Sequence, residues 1–302
     1  MKKFFLLAAL LFISIALKAE EKKIMTSDGV ELYVKIQGKG TPLLYLHGGP
    51  GSGSYWLEQF FGKFMEEHFT VIYLDQRGVG RSASAQDGNY SMDRMVQDFE
   101  EIRESLGIKS WLTLGHSFGG LLQMGYAERH PEAIKGMLMI NCTLNITETC
   151  CESWFPKAAE FLGENYVSCA QDSIPVMERI GYFGNRLREE GVFWKMGYLD
   201  PGNEEVMNKT YEPFENWNYD FGNAAMSNPE FWQNFKPLSS KMQMPVLFFY
   251  GSRDWMIGPE HYKGVNFPNM MLWESEVGHM PFLEAKEDLG KAILAFTEKY
   301  KL

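Results

Sequence analysis

Basic residues are the minority in this chain of 302: Lys and Arg number 29 against 39 Asp and Glu, for a formal charge of −10. Nucleic-acid binding needs a basic patch that tracks phosphates, and none is visible, so that class of partner is excluded. Cysteine is scarce as well. Cys142, Cys150, Cys151 and Cys169 share one short window without CxxC spacing or partner histidines. That pattern speaks against a zinc site and leaves either three disulfide connectivities or plain buried thiols. No metal and no other cofactor is expected. Beyond Leu17 no long uninterrupted apolar stretch occurs, so no membrane span is expected in the mature chain. The glycine-rich stretch His47-Gly-Gly-Pro-Gly51 is not followed by Gly-Lys-Ser/Thr, which rules out a phosphate loop. Internal repeats and low-complexity tracts are missing too.

What is present is a globular composition, 45% hydrophobic and 23% charged, on a length that suits one large α/β domain with an insertion or two small domains. Met1-Lys-Lys3, an apolar run from Phe4 to Leu17 and then Lys18-Ala19 have the form of a secretory leader over residues 1–19, with a small residue where a signal peptidase cuts. The run is shorter than the roughly 20 residues that span a bilayer. The expectation is an exported protein, periplasmic or secreted, whose formal charge moves from −10 to −13 once Lys2, Lys3 and Lys18 are removed.

The organising stretch is Leu112-Thr-Leu-Gly-His-Ser-Phe-Gly-Gly120. Trp111-Leu-Thr-Leu reads as a buried strand and Leu121 to Arg129 as a helix, so Ser117 falls at a sharp strand-to-helix turn. Such a turn forces an unfavourable backbone angle on the serine and packs strand against helix, so small residues are needed on both sides. Gly115 and Gly119 supply them.

Around it runs a strand-helix rhythm. Lys23 to Gln37 reads as two strands about the Ser27-Asp-Gly29 turn, followed by a strand at Pro42–Leu46, a helix over Tyr55–Glu67 and a strand at Phe69–Leu74. Next come a helix over Met92–Leu106 capped by Ser91, with Arg94 and the acidic residues on its wet face, and a strand at Ile134–Ile140. Asp75 and Arg77 in Asp75-Gln-Arg-Gly-Val-Gly-Arg-Ser82 are read as fixing their loop rather than as catalytic. Residues 142–242 break the rhythm and are rich in rings such as Trp154, Phe155, Phe193, Phe221 and Phe231, which predicts a mainly helical cap walling an apolar pocket. The rhythm returns with a strand at Met244–Tyr250, a last strand at Asn269–Trp273 and a helix over Phe282–Tyr300. The predicted architecture is an α/β fold with a mostly parallel sheet flanked by helices, its core formed by residues 20–141 and 243–302 and its cap inserted after the sixth strand.

A serine hydroxyl needs a base, and that base needs an acid to hold its tautomer. In chain order serine, acid, histidine, each placed after a strand, the candidates are Ser117, Asp254 and His279. Glu274 and Glu276 lie too near His279 in sequence to come from a separate strand end, while His68, His130 and His261 fall at predicted helix ends or exposed segments. The oxyanion donors would be the backbone N–H of Phe118 and that of Gly49, with Gly48 as the fallback.

His47-Gly-Gly-Pro-Gly51, Asp75-Gln-Arg-Gly-Val-Gly-Arg-Ser82, Gly115-His-Ser-Phe-Gly-Gly120, Gly251-Ser-Arg-Asp254 and Gly278-His279 together resemble an α/β-hydrolase of the prolyl iminopeptidase type, a serine peptidase family. The resemblance implies a metal-free aminopeptidase that releases an N-terminal residue, often proline, from short peptides, with cap glutamates binding the free ammonium. Candidates for that role by residue type are Glu204, Glu205, Glu212 and Glu215. The chain departs from the family in reading Gly-His-Ser-Phe-Gly for Gly-Gly-Ser-Trp-Gly, and in lacking a Trp-Glu pair in the insertion. The rival readings are an esterase or lipase-like hydrolase of small esters with the same triad, and a binding protein on a hydrolase scaffold that no longer turns over.

Overall fold

The computed structural model describes residues 19–302; the leader read from the sequence lies outside the described residues apart from Ala19. The apolar runs form eight strands: β1 (Glu20–Met25), β2 (Glu31–Gly38), β3 (Thr41–Leu46), β4 (Phe69–Leu74), β5 (Trp111–His116), β6 (Ile134–Ile140), β7 (Val246–Gly251) and β8 (Met270–Ser275). They make one sheet in the order β1-β2-β4-β3-β5-β6-β7-β8. β1 and β2 pair antiparallel, as do β2 and β4, and every other pair is parallel. Parallel strands need crossovers, and helices supply them: α1 (Tyr55–His68) between β3 and β4, α2 (Met92–Ser105) between β4 and β5, and α3 (Gly119–Arg129) between β5 and β6.

Both faces of the sheet's centre are covered, so β3 to β7 are mostly buried along their length, while the edge strands β1 and β8 are partly exposed. In β3, Leu44 and Leu46 join a core shared with Met95, Phe99 and Leu121 of α2 and α3. Leu43 and Tyr45 point the other way and pack with Leu57 and Phe61 of α1 and with Ile293 and Phe296 near the C-terminus. Ser91 caps α2 as expected, its side chain accepting the Arg94 N–H.

The charged side of α2 is only partly wet, with Asp93 and Glu104 exposed. Asp98 and Glu100 are buried, and Arg94 donates to Asp98 and Glu101 at 2.9 Å each. The cause is Arg77, whose fully buried guanidinium bonds Asp98 at 2.6 and 2.8 Å and Asp28 at 2.8 and 3.0 Å. Burying one cation drew its acidic partners inward with it. Asp75 and Arg77 are therefore loop anchors, as the sequence reading has it. Asp75 accepts from Ser54 N–H and Oγ at 2.8 Å and pairs with Arg81 at 2.7 Å.

Between β6 and β7 the described chain forms helices and turns, with a single isolated bridge from Asn218 to Gly80. Its longer helices are α4 (Phe155–Leu162), α5 (Val176–Glu189), α6 (Pro201–Lys209) and α7 (Asp220–Ala225). This cap is pinned over the glycine loop. Trp217 Nε1 donates to the Gly51 carbonyl at 3.0 Å, Tyr211 Oη donates to that of Ser52 at 3.1 Å, and the Phe118 ring packs on Phe221 and Phe231. Of the four cysteines, Cys151 and Cys169 form a disulfide and Cys142 and Cys150 are free and buried. The final helical stretch breaks at Ala285 into Pro281–Glu284 and α8 (Lys286–Tyr300).

Candidate active site

The C-terminal ends of the six parallel strands bring their loops to one edge of the sheet, where ligands of open α/β sheets bind. β5 runs into Ser117, which has φ 55°, a left-handed angle that a non-glycine residue adopts only under local constraint. The constraint is the tight turn into α3: a Cβ at Gly119 would meet the Leu46 carbonyl, and one at Gly115 the Gln123 amide. Both glycines are required for the turn, as the spacing suggests. The Ser117 carbonyl accepts from Gly120 and Thr143 N–H at 3.1 Å, which fixes the backbone while leaving the hydroxyl free.

Asp254 follows β7 and His279 follows β8. His279 Nδ1 and Asp254 Oδ2 are 2.9 Å apart. A carboxylate only accepts, so Nδ1 carries a proton, and in the neutral imidazole Nε2 is the nitrogen with the lone pair. The other carboxylate oxygen of Asp254 is held by Met256 N–H at 3.0 Å and Ile257 N–H at 3.2 Å. Asp254 is 2% exposed, and Ser117 and His279 are 9% exposed, so the group is shielded yet reachable.

The histidine loop abuts the elbow. His116, next to Ser117, donates from Nε2 to the His279 carbonyl at 2.8 Å, and the two rings lie 4.7 Å apart. Asn141, with φ 47° at the end of β6, donates to the Gly278 carbonyl at 2.7 Å, and the His279 N–H reaches the Gly197 carbonyl of the cap at 2.6 Å. Ser117 Oγ and His279 Nε2 make no hydrogen bond among the described residues, and neither is a buried orphan. His116 and Asn141 were not foreseen as supports. A histidine inside an elbow and an asparagine after a strand carry no signal of their own.

Burial holds the nearby imidazoles neutral. His47, with Nδ1 near the Gly48 carbonyl and Nε2 accepting the Gln76 N–H, is pushed down to about 4 by burial. His116 is driven well below the ordinary value by burial and by the adjacent His279. His261 is buried, not exposed as its sequence position suggested, and its Nε2 accepts the Leu144 N–H at 2.8 Å. Glu274 accepts from Tyr250 Oη at 2.9 Å, away from the triad candidates.

A cavity of about 270 Å³ opens on Ser117. Gly49 and Phe118 line it beside the serine, where oxyanion donors are needed, and a Cβ on Gly48 would stand 2.7 Å from Ser117 Cβ. The cap contributes Ile146, Trp154, Ile180, Phe193 and Met226. Glu204, Glu205, Glu212 and Glu215 do not line it. Glu205 pairs with Lys209 at 2.6 Å, Glu212 and Glu215 are exposed, and Glu204 is half-buried on α6, where burial raises its carboxyl against the opposing pull of Arg188. Among the described residues no group of three or more His, Cys, Asp or Glu side chains could hold a metal, and no helix is long and apolar enough to cross a membrane.

Residues 41–176 match the family model described as the alpha/beta hydrolase fold. A proline iminopeptidase-related protein from Thermus thermophilus superposes with a TM-score of 0.77 at 22% identity, covering 93% of this chain and 98% of that one. The chain has the α/β-hydrolase fold. An esterase from Exiguobacterium antarcticum superposes with a TM-score of 0.68 at 18% identity over 92% of this chain and 100% of its own. At these identities the likeness speaks for the fold alone. In sequence this chain is similar to the proline iminopeptidase of Neisseria gonorrhoeae, 44% identical over 121 residues. That match covers 38% of this chain, and the chain spans 38% of the length of that curated relative.

Proposed function

We propose that this α/β hydrolase is a serine hydrolase that transfers an acyl group from a small ester or amide to water. The observation that carries the reading is the 2.9 Å bond between His279 Nδ1 and Asp254, seated against the strained elbow that presents Ser117 to the cavity. Ser117 Oγ attacks the carbonyl carbon as His279 Nε2 takes the hydroxyl proton, and Asp254 stabilises the imidazolium. The N–H groups of Phe118 and Gly49 receive the oxyanion. Collapse returns the proton to the leaving alcohol or amine and leaves an acyl-serine. Water, deprotonated by the same imidazole, then releases the acid and restores Ser117. The intact set of groups opposes a non-catalytic binding role.

Two substrate classes fit this chemistry. Small acyl esters are favoured by a cavity walled by apolar side chains and without a carboxylate. Aminopeptidase activity on N-terminal residues is favoured by the 44% identity to a proline iminopeptidase and by the His47-Gly-Gly-Pro-Gly51 and Asp75-Gln-Arg-Gly motifs. Export to the periplasm or beyond belongs to the same proposal. It is supported by the leader pattern of residues 1–19 and by the Cys151–Cys169 disulfide, a bond suited to an oxidising compartment. A panel of Pro-, Ala- and other aminoacyl-arylamides against short-chain aryl esters, run with wild type and Ser117→Ala, tests the reading. Hydrolysis lost by several orders of magnitude in the variant supports the triad, and a variant retaining most activity overturns it.

A further inference from the structure

Every wall of the cavity at Ser117 is neutral except one. Arg188, one of two arginines in the last turn of α5, is the sole charged side chain among its described lining residues. Its side chain is exposed at the rim, where Nη1 donates back to the Gly184 carbonyl at 3.1 Å and Cζ lies 4.3 Å from the centre of the Phe193 ring. Among the described residues no carboxylate lies within ion-pairing distance of Arg188, and its remaining N–H donors have no protein partner. Glu204 is near enough to feel its charge but does not pair with it. A free ammonium would thus enter a pocket whose one charge repels it. A planar, unpaired fork beside apolar walls is instead the group that receives a carboxylate.

We propose that Arg188 selects the substrate of this site, a small ester or amide whose acyl chain ends in a carboxylate, bound by the guanidinium at the cavity rim while the carbonyl meets Ser117. The assignment rests on the serine hydrolase reading and narrows it. The apolar side chains that line the cavity, Ile146, Ile180 and Phe193 among them, accept the methylene chain.

The test uses the full chain and three 4-nitrophenyl esters of matched length: the mono-ester of adipate, the hexanoate and the 6-aminohexanoate. Wild type is expected to prefer adipate over hexanoate in kcat/KM by tenfold or more, with aminohexanoate the poorest. Arg188→Gln is expected to cut the adipate-to-hexanoate ratio roughly tenfold to hundredfold, the range for a hydrogen bond to a charged partner. The change falls mainly in KM, because the carboxylate is bound alike in ground and transition states. Arg188→Lys keeps the ratio above one, and Arg188→Glu turns the preference toward aminohexanoate. Urea midpoints of the variants separate a lost contact from a lost cap. Esters cleaved without an anion preference, or a ratio unmoved in Arg188→Gln, overturn the assignment alone. No cleavage of any of the three by wild type overturns it as well, and the arylamide and aryl-ester panel then decides whether the hydrolase reading falls with it.

Discussion

Replacing Asp254 by Asn changes one atom, and the loop geometry dictates where that atom goes. Oδ1 already accepts the N–H groups of Met256 and Ile257 at 3.0 and 3.2 Å, so the amide oxygen of the variant must stay there. The amide NH2 then faces His279 Nδ1, where Oδ2 stood 2.9 Å away. Two donors cannot face each other, so the imidazole moves its proton to Nε2, the nitrogen that should take the Ser117 proton. Flipping the amide would leave two loop N–H groups facing a donor, at about 1 kcal/mol or more each. A triad with its histidine in the wrong tautomer loses about 10⁴ in kcat, or about 5.5 kcal/mol of transition-state stabilisation. The assay is the initial rate on the best ester or arylamide of the panel between pH 6 and 9, with a urea midpoint to show that the fold survives. A folded Asp254→Asn variant within tenfold of wild type would refute the reasoning.

Arg77→Met should destabilise the protein by about 3–5 kcal/mol, because it leaves the buried Asp98 carboxylate without its bidentate partner; a loss below about 1 kcal/mol in urea unfolding would contradict the network. His47 gives a pH dependence of definite sign. Its folded pKa, about 4, lies below the ordinary 6.5, so the stability is complete above pH 6.5 and is lost as pH falls toward 4. The full loss is about 3 kcal/mol, and in His47→Gln the drop between pH 7 and pH 5 should be smaller by about 2 kcal/mol; an unchanged drop argues against a neutral buried imidazole.

Local pattern and spacing made much of this fold legible. The helix read over Tyr55–Glu67 is α1, Tyr55–His68, and the one read over Met92–Leu106 is α2, Met92–Ser105. The strand read at Met244–Tyr250 starts two residues later, at Val246, since Pro245 has no N–H to give to a ladder. Ser117, Asp254 and His279 stood out because each follows a strand, and the parallel sheet converts that order into proximity. The cap was less readable, because aromatic content does not tell which ring faces inward. Phe155, Phe221 and Phe231 fill the protein's own core, whereas Trp154 and Phe193 wall the cavity. Charges misled for the same reason. Four glutamates were candidates by type, yet the charged residue on the cavity is Arg188, which in sequence looks like any solvated helix arginine. The single disulfide between Cys151 and Cys169 is a fact of spatial approach that four clustered thiols do not encode.

The most direct measurement is covalent labelling of the folded protein with a fluorophosphonate, followed by peptide mass analysis. The account requires a single stoichiometric adduct on Ser117 that disappears in Ser117→Ala and slows sharply in His279→Ala. No adduct, or one on another residue with Ser117 untouched, contradicts it.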